Sequence, residues 1–358
     1  MIKSTLSLRS IVAVFLAGLM TISLTHQAAA QSVGETMTVY RTTANLRLRS
    51  GPSTQAEIIV NVPFGTLVQV LNTRDSNWYS VYVNSLRGYM SSAFLDFVAV
   101  RPAGAPLYTA GSVTIMDAQT GEVLYGSAQH QRRFPASLTK IVTALLVLEH
   151  VEDLDEHITF SSRAVTLPLY AANMGGISAG DTLTVREALY GIMLPSGNEA
   201  ANALAEHVAG NIGNFVAQMN QRVNELGATN TRFINPCGLP GVGQYTTSYD
   251  MALIMREALQ HPIFREIIAT PYIYISPTAS SQPLLLRNSN LLIQEDAPEF
   301  NPRVVGGKTG FTNASQRTLV TYSHVEGHRL IVSILFVPRR EGMFSDTALL
   351  LEHALTLL

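Results

Sequence analysis

Residues 134–144 read Phe-Pro-Ala-Ser-Leu-Thr-Lys-Ile-Val-Thr-Ala, with a serine and a lysine three positions apart at the start of an apolar run. A helix that begins near Ser137 is predicted by the spacing of the apolar residues Leu138, Ile141, Val142, Leu145 and Leu148. A serine at a helix start lies beside unpaired backbone N–H groups, which can stabilise developing negative charge. Lys140 would share its helix face one turn away. The stretch therefore predicts a nucleophile beside an amine.

Lysine is scarce in the remainder of the chain. Beyond residue 30 only Lys140 and Lys308 remain, and the other basic side chains there are arginines. An ammonium can lose its proton when it is desolvated and then act as a base, whereas a guanidinium stays charged. Lys308 begins the triplet Lys308-Thr309-Gly310, and another triplet, Ser196-Gly197-Asn198, lies between the two lysines in sequence. We expect the Lys-Thr-Gly triplet to open a strand, where its glycine lets a substrate backbone approach closely.

The residue types of these motifs predict separate chemical roles. A buried Lys140 beside a second cation, Lys308, would have a lowered pKa and could take the proton of Ser137. Ser196 would supply a hydroxyl relay, and Asn198 an amide that fixes the substrate and the lysine. Together these five residues form the predicted catalytic group.

The elements predicted around the motifs indicate the architecture. A hairpin is predicted from strands at Ser112–Asp117 and Glu122–Tyr125, and two late strands at Arg317–Ser323 and Arg329–Phe336. Helices fill the sequence between them, and a closing helix is predicted from about residue 345 to 357. Helices between an early hairpin and late strands indicate an α+β or α/β sandwich with an antiparallel sheet.

The motifs Ser-x-x-Lys, Ser-x-Asn and Lys-Thr-Gly, in this order, resemble the active-site signature of penicillin-recognising serine acyl-transfer enzymes. Their surroundings are similar to D-alanyl-D-alanine carboxypeptidases, the low-molecular-mass penicillin-binding proteins. The similarity is carried by residues 134–144, by Leu-Pro-Ser-Gly-Asn-Glu-Ala-Ala at 194–201 and by Gly-Gly-Lys-Thr-Gly-Phe-Thr at 306–312. It extends over about residues 109–350, and it implies an α+β fold of the β-lactamase/transpeptidase type.

The resemblance also implies an acyl-enzyme mechanism. Ser137 would attack the carbonyl of the penultimate D-Ala of a peptidoglycan stem peptide and expel the terminal D-Ala, after which water would hydrolyse the ester. β-Lactam antibiotics would be covalent inhibitors, and neither a metal nor a cofactor is expected. The implied oxyanion hole consists of the backbone N–H groups of Ser137 and Phe311, and Thr312 would bind the substrate carboxylate with help from Arg287. The substrate-binding residues implied are Thr309, Gly310, Phe311, Thr312 and Arg287.

Two other functions stay open. A class A β-lactamase shares the motifs and the fold, but it would normally have Ser-Asp-Asn and a downstream Glu-x-x-Leu-Asn, whereas the middle residue here is Gly197. A wall-binding protein whose peptidase domain is catalytically silent is the second alternative, against which the intact motifs argue. His324 and His328 flank Gly327 in a predicted turn, so we expect solvated loop histidines there rather than metal ligands. Cys237, the single cysteine, replaces the His or Asn that the family often has in its Asn-Pro-x-Gly-Leu loop.

The N-terminal part of the chain predicts a second domain at residues 36–97. Short β-rich runs alternate there with turn residues, which is typical of a small barrel. Asn-Leu-Arg-Leu-Arg-Ser-Gly-Pro-Ser at 45–53 and Gly-Tyr-Met-Ser-Ser-Ala-Phe-Leu at 88–95 resemble bacterial SH3-like (SH3b) domains. The resemblance implies binding to the cell wall. A Pro- and Gly-containing linker is predicted at residues 98–108, followed by the catalytic domain at residues 109–358.

The first 30 residues resemble an export signal. Lys3 and Arg9 precede an apolar core of about 14 residues, which is too short to span a bilayer, and Ala28-Ala29-Ala30 supplies small residues for cleavage. Cleavage would change the net charge from −2 to −4, because both cations are lost. A weakly acidic chain without basic runs lacks the positively charged patch that is typical of proteins that bind nucleic acid. We expect an exported, extracytoplasmic protein without the C-terminal β-domain and amphipathic membrane anchor that many relatives have.

Overall fold

The structure is a computed structural model that describes residues 36–83, 86–277 and 283–358. The predicted signal peptide at residues 1–30 lies outside the described residues. The chain divides into two compact units, the first ending at Leu107 and the second running from Tyr108 to Leu358. In the described part of the chain, no helix is both long enough and apolar enough to cross a membrane.

The first unit is a single antiparallel sheet of seven strands. The order of the strands in the sheet is β3-β2-β6-β5-β4-β1-β7. Alternate side chains of these strands, among them Val39, Leu48, Val68, Val81 and Met90, are fully buried between its curved faces. The strands are β1 Thr36–Thr42, β2 Leu46–Arg49, β3 Ile58–Val62, β4 Leu67–Asn72, β5 Trp78–Val83, β6 Leu86–Ser91 and β7 Leu95–Pro102.

The predicted linker at residues 98–108 was wrong over its first five residues. Strand β7 continues to Pro102, which pairs with Thr36 of β1. Proline is tolerated there because it ends an edge strand, and the run Val-Ala-Val before Arg101 has the β-branched side chains that strands favour. The guanidinium of the buried Arg101 donates to the carbonyl of Pro106 at 3.0 Å. The segment between the two units is therefore shorter than predicted and begins after Pro102.

The second unit is built on a five-stranded antiparallel sheet in the order β14-β15-β16-β8-β9. The predicted early hairpin and late strands are confirmed, and the register brings the N-terminal hairpin beside the C-terminal strands through pairs such as Val332 with Ile115. The strands are β8 Ser112–Asp117, β9 Val123–Ser127, β14 Val304–Thr312, β15 Gln316–Val325 and β16 His328–Val337.

Helices cover both faces of this sheet. The larger core contains Ile331 and Leu335 of β16 and most of the apolar helix residues. The smaller core contains Val332 and Ile334 from the opposite face of β16, packed on Phe344. The α+β sandwich predicted from the sequence is therefore confirmed. The helices are α1 Thr139–His150, α2 Ser162–Val165, α3 Val185–Met193, α4 Asn198–Ala209, α5 Ile212–Glu225, α6 Ser248–Ala258, α7 Pro262–Ala269 and α8 Arg340–Ala354.

Two short hairpins lie outside the main sheet. Strand β10 (His157–Thr159) pairs with β11 (Thr182–Thr184), and β12 (Tyr272–Ile275) pairs with β13 (Leu284–Arg287). The β10–β11 hairpin leads into α3. The β12–β13 hairpin is followed by a 3₁₀ turn at Leu291–Ile293, which returns the chain to the central sheet.

Candidate active site

Ser137 lies in a 3₁₀ turn, Ala136–Leu138, that leads directly into α1. The backbone of Ala136 has φ +48°, in the left-handed region where a non-glycine residue is strained. Two glycines crowd this turn: a Cβ atom on Gly238 would lie 1.9 Å from the carbonyl oxygen of Ala136, and one on Gly310 would lie 3.0 Å from the backbone nitrogen of Ser137. The close approach of the two glycine backbones therefore holds the serine in its strained turn.

Ser137 stands where two depressions of about 370 Å³ each meet. Tyr170, Ala171, Ala172 and Phe311 line both of them, so the two form one continuous cleft. We call the depression that contains Asn198 and Cys237 the first half of the cleft. The depression that contains Ser196 and Thr309 is the second half.

Lys140 is fully buried on α1 and connects three segments of the chain. Its Nζ lies 3.2 Å from Ser137 Oγ, 2.6 Å from Asn198 Oδ1 and 2.7 Å from the carbonyl oxygen of Cys237. Asn198 is the first residue of α4, and the Cys237 carbonyl belongs to the loop that presses Gly238 on Ala136. The amine is thus within hydrogen-bond distance of the candidate nucleophile and is fixed by two other oxygen atoms.

Lys308, the first residue of the third motif, is also buried. Its Nζ donates to Ser196 Oγ at 3.1 Å and to the carbonyl of Thr309 at 3.0 Å. Ser196 itself has φ +74°, a second strained position in the same site. The structure therefore brings all five predicted catalytic residues together: Ser137, Lys140, Ser196, Asn198 and Lys308.

The Lys-Thr-Gly triplet does not open a strand as predicted. Strand β14 begins at Val304, and Gly306 and Gly307 already pair with β15. These glycines act as close-approach positions, because a Cβ atom on Gly306 would lie 2.5 Å from the carbonyl oxygen of Ile268. Lys308 therefore lies in the middle of a strand whose backbone is paired with β15 before and after it.

Burial changes the proton affinity of both amines. Desolvation lowers the pKa of Lys140 to about 8. Desolvation is the main cause that holds the pKa of Lys308 well below its ordinary value, and the nearby positive charge of Lys140 adds to it. An amine with a pKa of about 8 is partly unprotonated near neutral pH, and in that form it can accept a proton from a hydroxyl at 3.2 Å.

The predicted substrate-binding residues fall into three places. Thr309, Gly310 and Phe311 line the second half of the cleft, where Thr309 Oγ1 lies 2.5 Å from Ser289 Oγ. Thr312 lines the first half instead, and its hydroxyl is within 2.8 Å of Ser315 Oγ. Arg287 lines neither half: it is exposed at the end of β13 and belongs to a separate groove. The fold therefore does not bring Thr312 and Arg287 together as predicted.

Two cations that the sequence did not suggest lie in the second half of the cleft. Arg317 and Arg340 line it beside Thr309 and Gly310. Arg317 stands opposite Phe311 in the β14–β15 register, with its guanidinium carbon 4.3 Å from the centre of that ring. The hairpin that follows the Lys-Thr-Gly triplet was a signal for Arg317, because cross-strand partners share a face. Arg340 has no such signal, since it reaches the cleft only through the return of β16.

Comparison with known proteins agrees with this geometry. A family model described as D-alanyl-D-alanine carboxypeptidase matches residues 99–338, and a model described as bacterial SH3 domain matches residues 44–96. The chain belongs to the D-alanyl-D-alanine carboxypeptidase family. Its N-terminal unit carries the bacterial SH3 domain that the sequence had indicated.

Individual relatives of this carboxypeptidase family give the same result. D-alanyl-D-alanine carboxypeptidase DacF of Bacillus subtilis is 36% identical over 233 residues, which are 64% of this chain and 57% of the relative. A solved D-alanyl-D-alanine carboxypeptidase of Mycobacterium tuberculosis matches with a TM-score of 0.65 at 31% identity, over 73% of this chain and 97% of that one. The DD-transpeptidase of Streptomyces K15 matches with a TM-score of 0.65 at 27% identity, over 71% and 100%. The penicillin-binding, transpeptidase-type fold is therefore established.

A loop at residues 166–181 forms one wall of the cleft, and we call it the wall loop. It is hydrogen-bonded to residues in and next to the second motif of this carboxypeptidase-family domain. The backbone N–H of Asn198 donates to the carbonyl of Ala172 at 3.0 Å, and that of Met174 donates to Glu199 Oε1 at 2.5 Å. The Met174 side chain lies over Gly191, where an added Cβ atom would be 2.2 Å from its sulfur. The wall of the cleft is therefore positioned by the residues next to Asn198.

Glu199 is the least obvious member of this arrangement. Its carboxyl is buried, and in the described part of the chain its Oε2 has no hydrogen-bond partner. Burial raises the pKa of Glu199. No sequence signal separated Glu199 from an ordinary acidic residue in the first turn of a helix. Its contact with Met174 makes it a positioning residue for the wall loop.

We expect Glu199→Ala to lower kcat/KM for a small peptide ending in D-Ala-D-Ala by roughly tenfold, within the cost of leaving a buried N–H unpaired. Glu199→Gln keeps a carbonyl oxygen for the Met174 N–H and should stay within about twofold of the parent protein. Steady-state kinetics of D-Ala release from the two variants makes the comparison. Equal losses in both would mean that the charge of Glu199, and not its hydrogen bond, matters.

Proposed function

We propose that this protein is a serine-type D-Ala-D-Ala carboxypeptidase that removes the terminal D-Ala of peptidoglycan stem peptides. The observation that carries the proposal is the 3.2 Å contact between Ser137 Oγ and the buried Nζ of Lys140, whose pKa is lowered to about 8. A neutral amine at that distance is a general base for a hydroxyl nucleophile. The cleft of about 370 Å³ on either side has room for an extended peptide.

The first half-reaction forms an ester. Lys140 takes the proton of Ser137 while Oγ bonds to the penultimate D-Ala carbonyl carbon, and the oxyanion is stabilised by backbone N–H groups at Ser137 and Phe311. The C–N bond then breaks, and the leaving amine of D-Ala takes a proton from the lysine or through Ser196. In the second half-reaction water gives a proton to neutral Lys140 and bonds to the ester carbonyl carbon. The bond between that carbon and Ser137 Oγ then breaks, and Oγ takes the proton from Lys140. Ser137 is thereby regenerated.

The substrate carboxylate fits the second half of the cleft. Arg317 and Arg340 line this half together with the Thr309 hydroxyl, and guanidinium groups bind carboxylates with two parallel hydrogen bonds. A terminal D-Ala placed there would present its peptide carbonyl to Ser137. A β-lactam carries a carboxylate next to its reactive carbonyl, so it would acylate Ser137 in the same orientation.

The activity is tested by incubating the purified protein with a soluble peptide ending in D-Ala-D-Ala and measuring free D-Ala. Mass spectrometry of whole wall digests, with and without the protein, then identifies the stem peptides that are shortened. No release of D-Ala from either substrate would contradict the proposal. The β-lactamase alternative predicts rapid penicillin hydrolysis, for which the buried Glu199 is badly placed because it bonds to Met174 and does not line the cleft.

We further propose that the protein acts outside the cytoplasm and that its bacterial SH3 domain binds the cell wall. The support is the match of that domain to residues 44–96 and its surface cluster of aromatic rings. Tyr40 stands edge-on to Tyr79 and Phe97, with ring centres 5.6 and 5.7 Å apart, and Phe97 is 59% exposed. Aromatic rings with one exposed face suit the apolar faces of wall polymers.

Removing residues 31–105 is expected to separate wall binding from catalysis. The cut lies before Tyr108, which is buried in the second core, and before Thr109, whose N–H donates to Asp346 at 2.8 Å. The rate on a soluble D-Ala-D-Ala peptide should stay within about a factor of three, or about 0.7 kcal/mol of transition-state stabilisation. Pull-down by insoluble peptidoglycan should weaken, because the deletion removes the domain that is proposed to tether the protein to the wall. Loss of soluble-substrate activity in a folded truncation would mean that the small domain helps to build the active site.

A further inference from the structure

A groove of about 510 Å³, which we call the hairpin groove, lies on the β12–β13 hairpin. Its walls include Tyr272, Tyr274, Leu285, Arg287, Glu295 and Asp296. None of the predicted catalytic residues lines it. The groove is therefore separate from the cleft that contains Ser137.

The strand pattern fixes which side chains face this groove. Ile273 and Ile275 of β12 pack on the larger core, so the alternating Tyr272 and Tyr274 point outward and are 57% and 62% exposed. In the register of the hairpin, Tyr272 faces Arg287 and Tyr274 faces Leu285. Two tyrosine rings and an arginine are thus displayed on one surface by the core packing of their neighbours.

The polar groups of the hairpin groove are available to a ligand. Among the residues that the structure describes, Arg287, Glu295 and Asp296 form no ion pair and no side-chain hydrogen bond, and neither do the hydroxyls of Tyr272 and Tyr274. Arginine is a donor only, and carboxylates accept only. The groove therefore offers both donors and acceptors around exposed aromatic faces.

We propose that the hairpin groove binds the glycan strand of the substrate polymer, a chain of neutral N-acetylated sugars. A pyranose ring has an apolar C–H face that stacks on an aromatic ring, and hydroxyl edges that both donate and accept hydrogen bonds. The two tyrosines match the faces, and Arg287, Glu295 and Asp296 match the edges. One cation against two carboxylates gives the groove a net negative charge, which disfavours an anionic peptide stem but not a neutral sugar chain.

The hairpin groove is joined to the catalytic cleft by a short fixed segment. Arg287 lines the groove, and Ser289, two residues later, lines the cleft and contacts Thr309. Asn288 between them is buried, and its N–H donates to the carbonyl of Pro271 at 2.8 Å. Two extended residues span at most about 7 Å, so both sites can engage one polymer. The inference rests on the proposed function, which makes a peptide attached to a glycan strand the substrate.

The test uses the full chain and a β-1,4-linked tetramer of N-acetylglucosamine as probe, titrated by calorimetry. We expect the double substitution Tyr272→Ala/Tyr274→Ala to weaken one binding event at least tenfold. The pair Tyr272→Phe/Tyr274→Phe keeps both rings and should lose less than threefold. D-Ala release from a soluble peptide should be unchanged in both, and it also reports that the variants are folded.

A fluorescent variant locates the binding event. Trp78, in the small domain, is the only tryptophan, so Tyr272→Trp adds a reporter in the hairpin groove while keeping a ring for stacking. The tetramer should change the emission of this variant. The parent protein serves as the control, because its emission comes from Trp78 and should not show the same change. An emission change with an equally long anionic stem peptide, and none with the sugar, would assign the groove to peptide and overturn the proposal.

Sugar binding that is unaffected by the double alanine substitution would also overturn it. Failure of the proposed function is distinguishable, because the calorimetric and fluorescence signals do not depend on turnover. A protein that releases no D-Ala but binds the tetramer in the hairpin groove would keep the binding site and lose only the peptidase assignment.

Discussion

Replacing Ser137 with alanine is expected to abolish covalent labelling by a fluorescent penicillin and to lower D-Ala release by roughly 10⁴- to 10⁶-fold, as for other serine nucleophiles. The substitution removes the oxygen 3.2 Å from Lys140 Nζ and leaves that amine its two other oxygen partners, Asn198 and Cys237. Among the described residues, Ser137 is the one whose hydroxyl contacts Lys140, so no second nucleophile is expected to take over.

Ser345→Ala is the matched control for this experiment. Ser345 is exposed on α8 of the same domain, outside both halves of the cleft, and should label like the parent protein. Labelled protein is read by gel fluorescence and intact mass, and thermal unfolding confirms that both variants are folded. Full labelling of a folded Ser137→Ala protein would refute Ser137 as the nucleophile.

Lys140→Arg is expected to reduce acylation at least about 10³-fold, whereas Lys308→Arg should keep measurable activity. A guanidinium cannot accept the serine proton at working pH, and Lys140 is the amine in contact with Ser137. Lys308 contacts Ser196 Oγ and a carbonyl, so its role is to donate hydrogen bonds, which arginine can do. Rates of penicillin acylation for the two variants make the comparison.

Because arginine is larger than lysine, Lys140→Ala provides a second test. Deleting the buried side chain leaves a cavity, and a small primary amine in the buffer should partly restore acylation by acting as the missing base. The amine should not restore Ser137→Ala. Equal and total loss in both arginine variants, together with no rescue, would contradict the assignment of Lys140 as base and Lys308 as donor.

The rate of acylation should rise with pH through a midpoint near 8. The active form of Lys140 is the neutral amine, and its pKa is lowered to about 8, so the active fraction falls below that pH and saturates above it. Lysine-selective NMR is suited to this measurement because the chain beyond residue 30 has two lysines. A midpoint near the ordinary lysine value would mean that Lys140 is solvated in solution.

The proximity of the five predicted catalytic residues could be anticipated because their motifs combine residue types suited to acyl transfer. Lys140 and Lys308 were conspicuous in a chain that otherwise uses arginine, and a helical spacing placed Ser137 beside the first of them. The alternation of apolar residues likewise predicted the hairpin and the late strands. In these cases the local pattern and the tertiary contact agree, so sequence alone was sufficient.

Residues that depend on register or on a distant loop were not predictable. Arg340 follows the end of β16, and β15 lies between β16 and β14 in the sheet. Arg340 therefore lines the cleft beside β14 only because the strands pair in this order. Arg287 was expected near the substrate carboxylate because of its neighbours in sequence, yet the alternation of β13 points it outward. The role of Glu199 depends on where the wall loop folds back. A single pattern cannot encode such contacts, since each requires two segments to be placed independently.

The scarcity of lysine has a practical consequence for conjugation. Both lysines in the described part of the chain are buried in the active site, and Lys3 falls in the segment that the structure does not describe. Amine-reactive dyes, biotin esters and activated resins react with exposed neutral amines, so they should spare both of these buried lysines. Coupling with such reagents should therefore leave the cleft unmodified and accessible to soluble substrate.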